Sequence, residues 1–245
     1  MMSKSDLVKK KLHESFEKIK KLSCQEFLNG LSHDSNFLEN VNSLILTNDI
    51  FVKRSFKDIY EFSVYRNFLY AIIRDLKPNV IVETGVLHGL TSAWILKALK
   101  DNNNGKLISI DLPRRDWNKY FKGIQFGEGG EAEFEIKNEL PGWVIPKNLK
   151  ERWELYLGPS MIHLPKVCAT EESIDLFIHD SDHSYDVMQL ECELINKYHP
   201  KSNIVIDDYY LNDFVFDFQK KTGRDFIEIE DINDNLEEVK GCAFF

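Results

Sequence analysis

Apolar positions recur at three-to-five-residue spacing near the start of the chain: Leu7, Leu12, Phe16, Ile19, Leu22 and Phe27. That period predicts an amphipathic helix over 4–30 ending at Gly30, followed by an irregular, weakly apolar stretch over 31–56. Ile59, Phe62, Tyr65, Phe68, Leu69 and Ile72 carry a second helical period, predicting a helix over 56–76 that stops before Pro78. Beyond it the pattern changes. Short continuous apolar runs at 80–83, 106–111, 153–157, 174–178 and 203–206 read as strands, with helical periods at 91–99 and through Val187, Leu190, Leu194, Ile195 and Tyr198. A short helix over 211–221 and strands over 226–230 and 238–245 complete the pattern. Continuous apolar strands alternating with helices predict an α/β fold, with a mostly parallel sheet covered on both faces.

One interval does not fit a bare crossover. Residues 112–150 are too long for a simple connection and rich in aromatics: Trp117, Tyr120, Phe121, Phe126, Phe134 and Trp143. Such a segment is a lid over a substrate mouth, an oligomer contact or an extra packed layer. The organisation expected for 245 residues is an N-terminal helical extension over 1–55 and one domain over 56–245, with an insert at about 112–150.

Composition narrows the partners. A net charge of −9 argues against a nucleic-acid surface, which needs clustered Lys and Arg to neutralise phosphates. The basic runs Lys9–Lys11 and Lys18, Lys20, Lys21 are interleaved with Glu14 and Glu17, the pattern of a solvated helix face. Cys24, Cys168, Cys192 and Cys242 form no CxxC pair, so free thiols in a reducing compartment are expected. The first residues lack an apolar signal core, and no run approaches the ~18 apolar residues of a membrane span. The expectation is a cytoplasmic protein with no membrane partner; a homo-oligomer is compatible with it.

Three places carry candidate chemistry. The first is the turn Glu83-Thr84-Gly85-Val86-Leu87-His88-Gly89-Leu90-Thr91-Ser92, between a strand and a helix. There, backbone N–H groups and a helix N-terminus can face a ligand. Gly85 permits close backbone approach and Gly89 tight packing of the turn. The spacing E-x-G-x-x-x-G departs from the dinucleotide fingerprint G-x-G-x-x-G and also fits an ordinary strand–turn–helix glycine pair. The second place is Asp111, ending the second strand, where an acid can accept both ribose hydroxyls of a nucleoside. The third is Asp180, with His183 three residues on, and the pair Asp207-Asp208 after the fifth strand. If the fourth and fifth strands are neighbours, these carboxylates converge above the sheet edge, where they repel unless a cation bridges them. An all-oxygen set suits Mg²⁺, and Ca²⁺ or Mn²⁺ less well; a solvated acidic rim is the plainer alternative. His183 can take a proton there, whereas His179 reads as structural and His88 is ambiguous.

Taken in order, VIVETGVLHGLTSA, LISIDLP, RWELYLGPSMIHLP, IDLFIHDSDHSYD and NIVIDD resemble the class I S-adenosylmethionine-dependent methyltransferases. More narrowly they resemble the metal-dependent branch that holds small-molecule and sugar O-methyltransferases and cephalosporin-hydroxylase-like proteins. The resemblance covers about residues 60–245. It implies a Rossmann-like, doubly wound seven-stranded sheet with the last strand antiparallel. By position it implies Glu83, Thr84, Gly85 and Gly89 at the methionine part of S-adenosylmethionine, and Ser92 near its carboxylate. It further implies Asp111 at the ribose, and Gly158 and Ser160 near the adenine. Asp180, Asp207 and Asp208 are implied as metal ligands, and Asp180 and His183 as the catalytic residues, His183 as general base. The sequence departs from the family at His199-Pro200-Lys201-Ser202, where a glycine pair is usual, and the first 55 residues match no family motif. The function implied is Mg²⁺-assisted O-methylation of a small-molecule hydroxyl acceptor. A nicotinamide-dependent oxidoreductase, a hydroxylase-like metal enzyme or a non-catalytic nucleoside-binding module are the competing readings on the same fold.

Overall fold

The computed structural model describes residues 4–47, 63–122, 139–232 and 236–245. Seven strands form one sheet: β1 (Val80–Thr84), β2 (Lys106–Asp111), β3 (Trp153–Leu157), β4 (Leu176–His179), β5 (Asn203–Ile206), β6 (Ile227–Ile232) and β7 (Glu238–Phe244). Their spatial order is β3-β2-β1-β4-β5-β7-β6. β1 pairs in parallel with both β2 and β4, and only β7 runs antiparallel to its neighbours β5 and β6. This is the doubly wound sheet with one late antiparallel strand that the sequence predicts. The chain builds outward from β1 to β3 and then returns to β4 on the other side, so the order reverses between β1 and β4. Ligands bind at such a reversal, beyond the carboxyl ends of the strands.

Alternation along each strand divides the core in two. Ile81, Leu107, Ile178 and Val205 face one layer of helices, and Val80, Val82, Ile108, Phe177, Ile204 and Ile206 face the other. The first layer contains α1 (Lys4–Lys18), α2 (Cys24–His33), α3 (Ser35–Ile45), α4 (Val64–Leu76) and α5 (Leu90–Asn102); after the short α6 (Trp117–Tyr120), the second contains α7 (Ser160–Thr170), α8 (Tyr185–Tyr198) and α9 (Phe214–Thr222).

The N-terminal helices depart from the sequence reading. A single helix over 4–30 is not formed. α1 ends at Lys18, and Lys20 takes a left-handed conformation at φ +57°. The Lys21 N–H bonds the Phe16 carbonyl at 2.8 Å, a closing turn that buries Phe16 and Cys24 together. Gly30 lies inside α2 rather than stopping it, and the stretch read as irregular contains α3, with the Asp34 carboxylate accepting from the Phe37 N–H at 3.0 Å. α1 lies on β6, where the buried Lys11 ammonium meets Glu230 at 2.7 Å and Glu238 at 2.9 Å. Phe37 of α3 stands edge-on to Trp94 of α5. α7 carries Pro165 inside it. The predicted helix over 56–76 begins at Val64 among the described residues; 56–62 lie outside them.

The described parts of 112–150 divide as well. Trp117 and Phe121 stack at 4.3 Å. Val144, Ile145 and Leu149 are buried in the first core layer, so this part of the segment is a packed layer. Phe126 and Phe134 lie outside the described residues. No helix among the described residues is long and apolar enough to cross a membrane.

Candidate active site

The carboxyl ends of β1, β4 and β5 meet through one close contact. Gly85 follows β1 at φ +84°, and a Cβ there would overlap the Asp180 carbonyl oxygen. The Asp180 N–H bonds the Thr84 carbonyl at 2.9 Å, and the Asp207 N–H bonds the His179 carbonyl at 3.0 Å. The glycine turn and the acidic loop are therefore one surface. In the sequence Gly85 permits close backbone approach; in the structure the approaching group is the backbone of Asp180.

Gly89 serves a parallel purpose toward the long segment after β2. A Cβ on it would stand 2.5 Å from the Gly142 Cα, and the Gly142 and Val144 N–H groups bond the carbonyls of Leu87 and His88. Trp143 Nε1 donates to His88 Nδ1 at 3.0 Å. Burial pushes the His88 imidazole down to about 4, so it is neutral and can accept that bond at Nδ1. His88, ambiguous in the sequence, is a support for the turn.

Asp111 faces the same turn: its Oδ2 accepts from the N–H groups of Val86 at 2.8 Å and Leu87 at 3.0 Å. Glu83 is fully buried beneath. Its Oε2 accepts from Ser92 Oγ at 2.7 Å and Ser109 Oγ at 2.8 Å, and Trp153 Nε1 donates to Ser109 in turn. Its other oxygen, Oε1, has no hydrogen-bond partner among the described residues. Burial outweighs the two hydroxyl bonds and the carboxyl is pushed up to about 7. Ser92 thus supports Glu83, whereas the sequence resemblance has it beside a ligand carboxylate.

Thr84 points to the opposite face. Its Oγ1 donates to Glu191 Oε2 at 2.6 Å; His179 Nδ1 lies 2.7 Å from that oxygen, and Ser181 Oγ donates to Oε1 at 3.0 Å. Glu191 is wholly buried. Burial opposes its charge, yet His179, Ser160 and Thr84 together hold its carboxyl below the ordinary range. Thr84 and Ser160 therefore engage a buried carboxylate that the sequence reading missed. The signal available was a lone Glu on the apolar face of the helix carrying Met188, Cys192 and Ile195. Gly158 bonds the Asp111 carbonyl through its N–H at 2.8 Å, and a Cβ on it would stand 2.6 Å from His163 Nε2.

The acidic cluster is assembled differently from the sequence expectation. One ligand atom each from Asp180, His183 and Asp207 lie within 4.8 Å of one another; Asp208 is not in that group. Asp208 adopts φ +45°, and burial first, then the charge and hydrogen bond of the Asp208 carboxylate, push the Tyr210 hydroxyl up. Adjacent residues leaving a strand diverge, which a reading of neighbouring acids as one set overlooks. Two carboxylates and an imidazole fit a divalent cation, and a nitrogen donor widens the choice beyond Mg²⁺ toward Mn²⁺ and other transition ions. Burial, reinforced by His179, lowers the His183 pKa, so the ring is neutral and can bind an ion or accept a proton.

The family model described as "Methyltransferase domain" matches residues 82–209, from the glycine turn to just past Asp208. Among solved structures, the O-methyltransferase from Bacillus cereus in complex with SAH is similar at 14% identity and a TM-score of 0.49, covering 74% of this chain and 79% of that one. TomG from Streptomyces achromogenes, an O-methyltransferase involved in tomaymycin synthesis and solved with SAM, is similar at 16% identity and a TM-score of 0.49, covering 74% and 78%. UvrABC system protein C of Clostridium botulinum is 33% identical over 94 residues, 32% of this chain and 15% of that protein's length. The chain thus spans less than a sixth of these curated relatives. Function does not transfer across likenesses of this extent.

Proposed function

This chain belongs to the methyltransferase-domain family, and from that membership we propose that it transfers the methyl group of S-adenosylmethionine to a hydroxyl oxygen of a small-molecule acceptor, assisted by a divalent cation. The observation that carries the reading is the abutment of Gly85 on the Asp180 backbone. It sets a cofactor-type turn directly against two carboxylates and an imidazole. In this reading Glu83, Gly85 and Gly89 would hold the methionine end of the cofactor and Asp111 its ribose. Gly158 and Ser160 stand on the adenine side, while Ser92 and Thr84 act by holding Glu83 and Glu191.

Bound, the sulfonium supplies an activated methyl group, and a cation on Asp180 and Asp207 lowers the pKa of the acceptor hydroxyl. The chain's own work is alignment: the turn and the acidic loop hold donor and acceptor in line for displacement at the methyl carbon. Transfer would form the carbon–oxygen bond as the carbon–sulfur bond of the donor breaks, with neutral His183 placed to take the hydroxyl proton. A second reading is favoured by the shared cluster of Asp180, His183 and Asp207, in which His183 is itself a ligand. Loss of metal in His183→Ala marks a ligand; retained metal with a slowed rate marks a base. The four buried free cysteines support a reducing, cytoplasmic setting. The segment 1–55 acts as an extension on the domain over 56–245.

Calorimetry with S-adenosylmethionine and S-adenosylhomocysteine, with and without Mg²⁺ or Mn²⁺, tests the proposal. Binding of both nucleosides is expected, with metal binding abolished in Asp180→Asn and cofactor binding kept. No binding of either nucleoside overturns it.

A further inference from the structure

Asp180 and His183 sit on a loop that is fixed from behind by one carboxylate. Glu191 lies on the buried face of α8 with Met188, Cys192 and Ile195, and it is outside the cluster of Asp180, His183 and Asp207. Its oxygens are engaged from both sides of Asp180 in the chain: His179 Nδ1 stands 2.7 Å from Oε2, and Ser181 Oγ donates to Oε1 at 3.0 Å. Thr84 Oγ1 donates to Oε2 at 2.6 Å, while the Thr84 carbonyl accepts the Asp180 N–H at 2.9 Å. The residue before Asp180, the residue after it and the residue that holds its backbone are therefore all tied to Glu191. The tie reaches His183 too, because the His179 and His183 rings meet edge-on with centroids 5.5 Å apart.

Burying a carboxylate completely is costly, and a well-packed apolar side chain at the same place is often no less stable. What the carboxylate adds is direction, since each donor that converges on it is held in one orientation. Resting on the metal-assisted reading above, we propose that Glu191 is a positioning residue for the cation site: through Thr84, His179 and Ser181 it holds Asp180 and His183 in the arrangement that brings their ligand atoms together with that of Asp207. Glu191 acts at one remove, in the way that partners behind a metal ligand set its orientation. Accepting a bond at His179 Nδ1 also keeps the proton on that nitrogen, which fixes the ring plane against which His183 packs.

Calorimetry of the full chain with Mn²⁺ and with S-adenosylhomocysteine tests this in two variants. Ser181→Ala cuts the tie to the loop and leaves Glu191 bound by Thr84 and His179. Mn²⁺ is expected to bind it roughly 2- to 10-fold more weakly, the effect of losing one hydrogen bond, with S-adenosylhomocysteine unchanged. Glu191→Gln keeps the volume and removes the charge; Mn²⁺ should bind roughly 10- to 100-fold more weakly, and S-adenosylhomocysteine should be affected less. The electron paramagnetic resonance lines of bound Mn²⁺ should broaden in both variants as the ligands lose a single arrangement, which a role in stability alone does not produce. Unchanged Mn²⁺ affinity or unchanged lines in either folded variant overturn the assignment, and Ser181→Ala decides it where Glu191→Gln does not fold. Equal weakening of both probes also overturns it, since the effect is then on the site as a whole; the functional reading survives each of these results. A wild-type protein that binds S-adenosylhomocysteine and no Mn²⁺ overturns the cation part of that reading, and this inference with it.

Discussion

Glu83 makes the energetics of the site measurable through pH. Its carboxyl is fully buried and pushed up to about 7, from an ordinary 4.5, because burial outweighs the bonds from Ser92 and Ser109. The folded chain therefore keeps a proton that the unfolded chain has released once the pH exceeds about 4.5. Glu83 contributes its stability fully below that pH and loses it as the pH rises toward about 7, becoming flat above. The gap corresponds to roughly 3 kcal/mol, an upper figure because the buried charge can draw in water. Glu83→Gln keeps an oxygen for the two serines and removes the titration. Any packing difference it introduces is the same at every pH, so the pH dependence isolates the charge. Urea denaturation of both proteins from pH 5 to pH 8 should show Glu83→Gln gaining on the wild type by up to about 3 kcal/mol across that range. A stability difference that stays constant from pH 5 to pH 8 refutes the reasoning.

Other perturbations follow from single contacts. Gly85→Ala places a Cβ into the Asp180 carbonyl at a backbone φ of +84°; it should cost about 3 kcal/mol or more in thermal or urea unfolding and weaken nucleoside and metal binding together. Trp143→Ala removes the bond to His88 and the packing beneath 139–150; about 2 kcal/mol of stability should go, with faster proteolysis at the exposed Lys147 and Lys150 and weaker S-adenosylhomocysteine binding. Lys11→Ala strips Glu230 and Glu238 of their shared cation; hydrogen exchange in α1 should rise, with a loss of about 1–3 kcal/mol.

By itself the amino-acid sequence determined the strands and their arrangement. Continuous runs such as VIVET and LFIH can be stable only between two covered faces, so their alternation with helical periods led directly to a doubly wound sheet, and the ordered motifs located the turn, Asp111 and the acidic loop. It also placed Asp180, His183 and Asp207 at one sheet edge, since strand ends are set by register. Helix boundaries in the first 45 residues were less legible, because Lys20 and Gly30 act according to how α1 and α2 pack and not by local preference. The partners of individual side chains were decided only in three dimensions. Spacing along the chain cannot tell that Ser92 meets Glu83, that Thr84 meets Glu191 a hundred residues on, or that Gly89 makes room for Gly142. It cannot separate Asp207 from Asp208, which differ by the direction each leaves the strand end. Nor can it say which donors Glu191 gathers from the apolar stripe of its helix. A helical period records which side chains are buried, whereas a hydrogen bond depends on what the other elements bring to the same place.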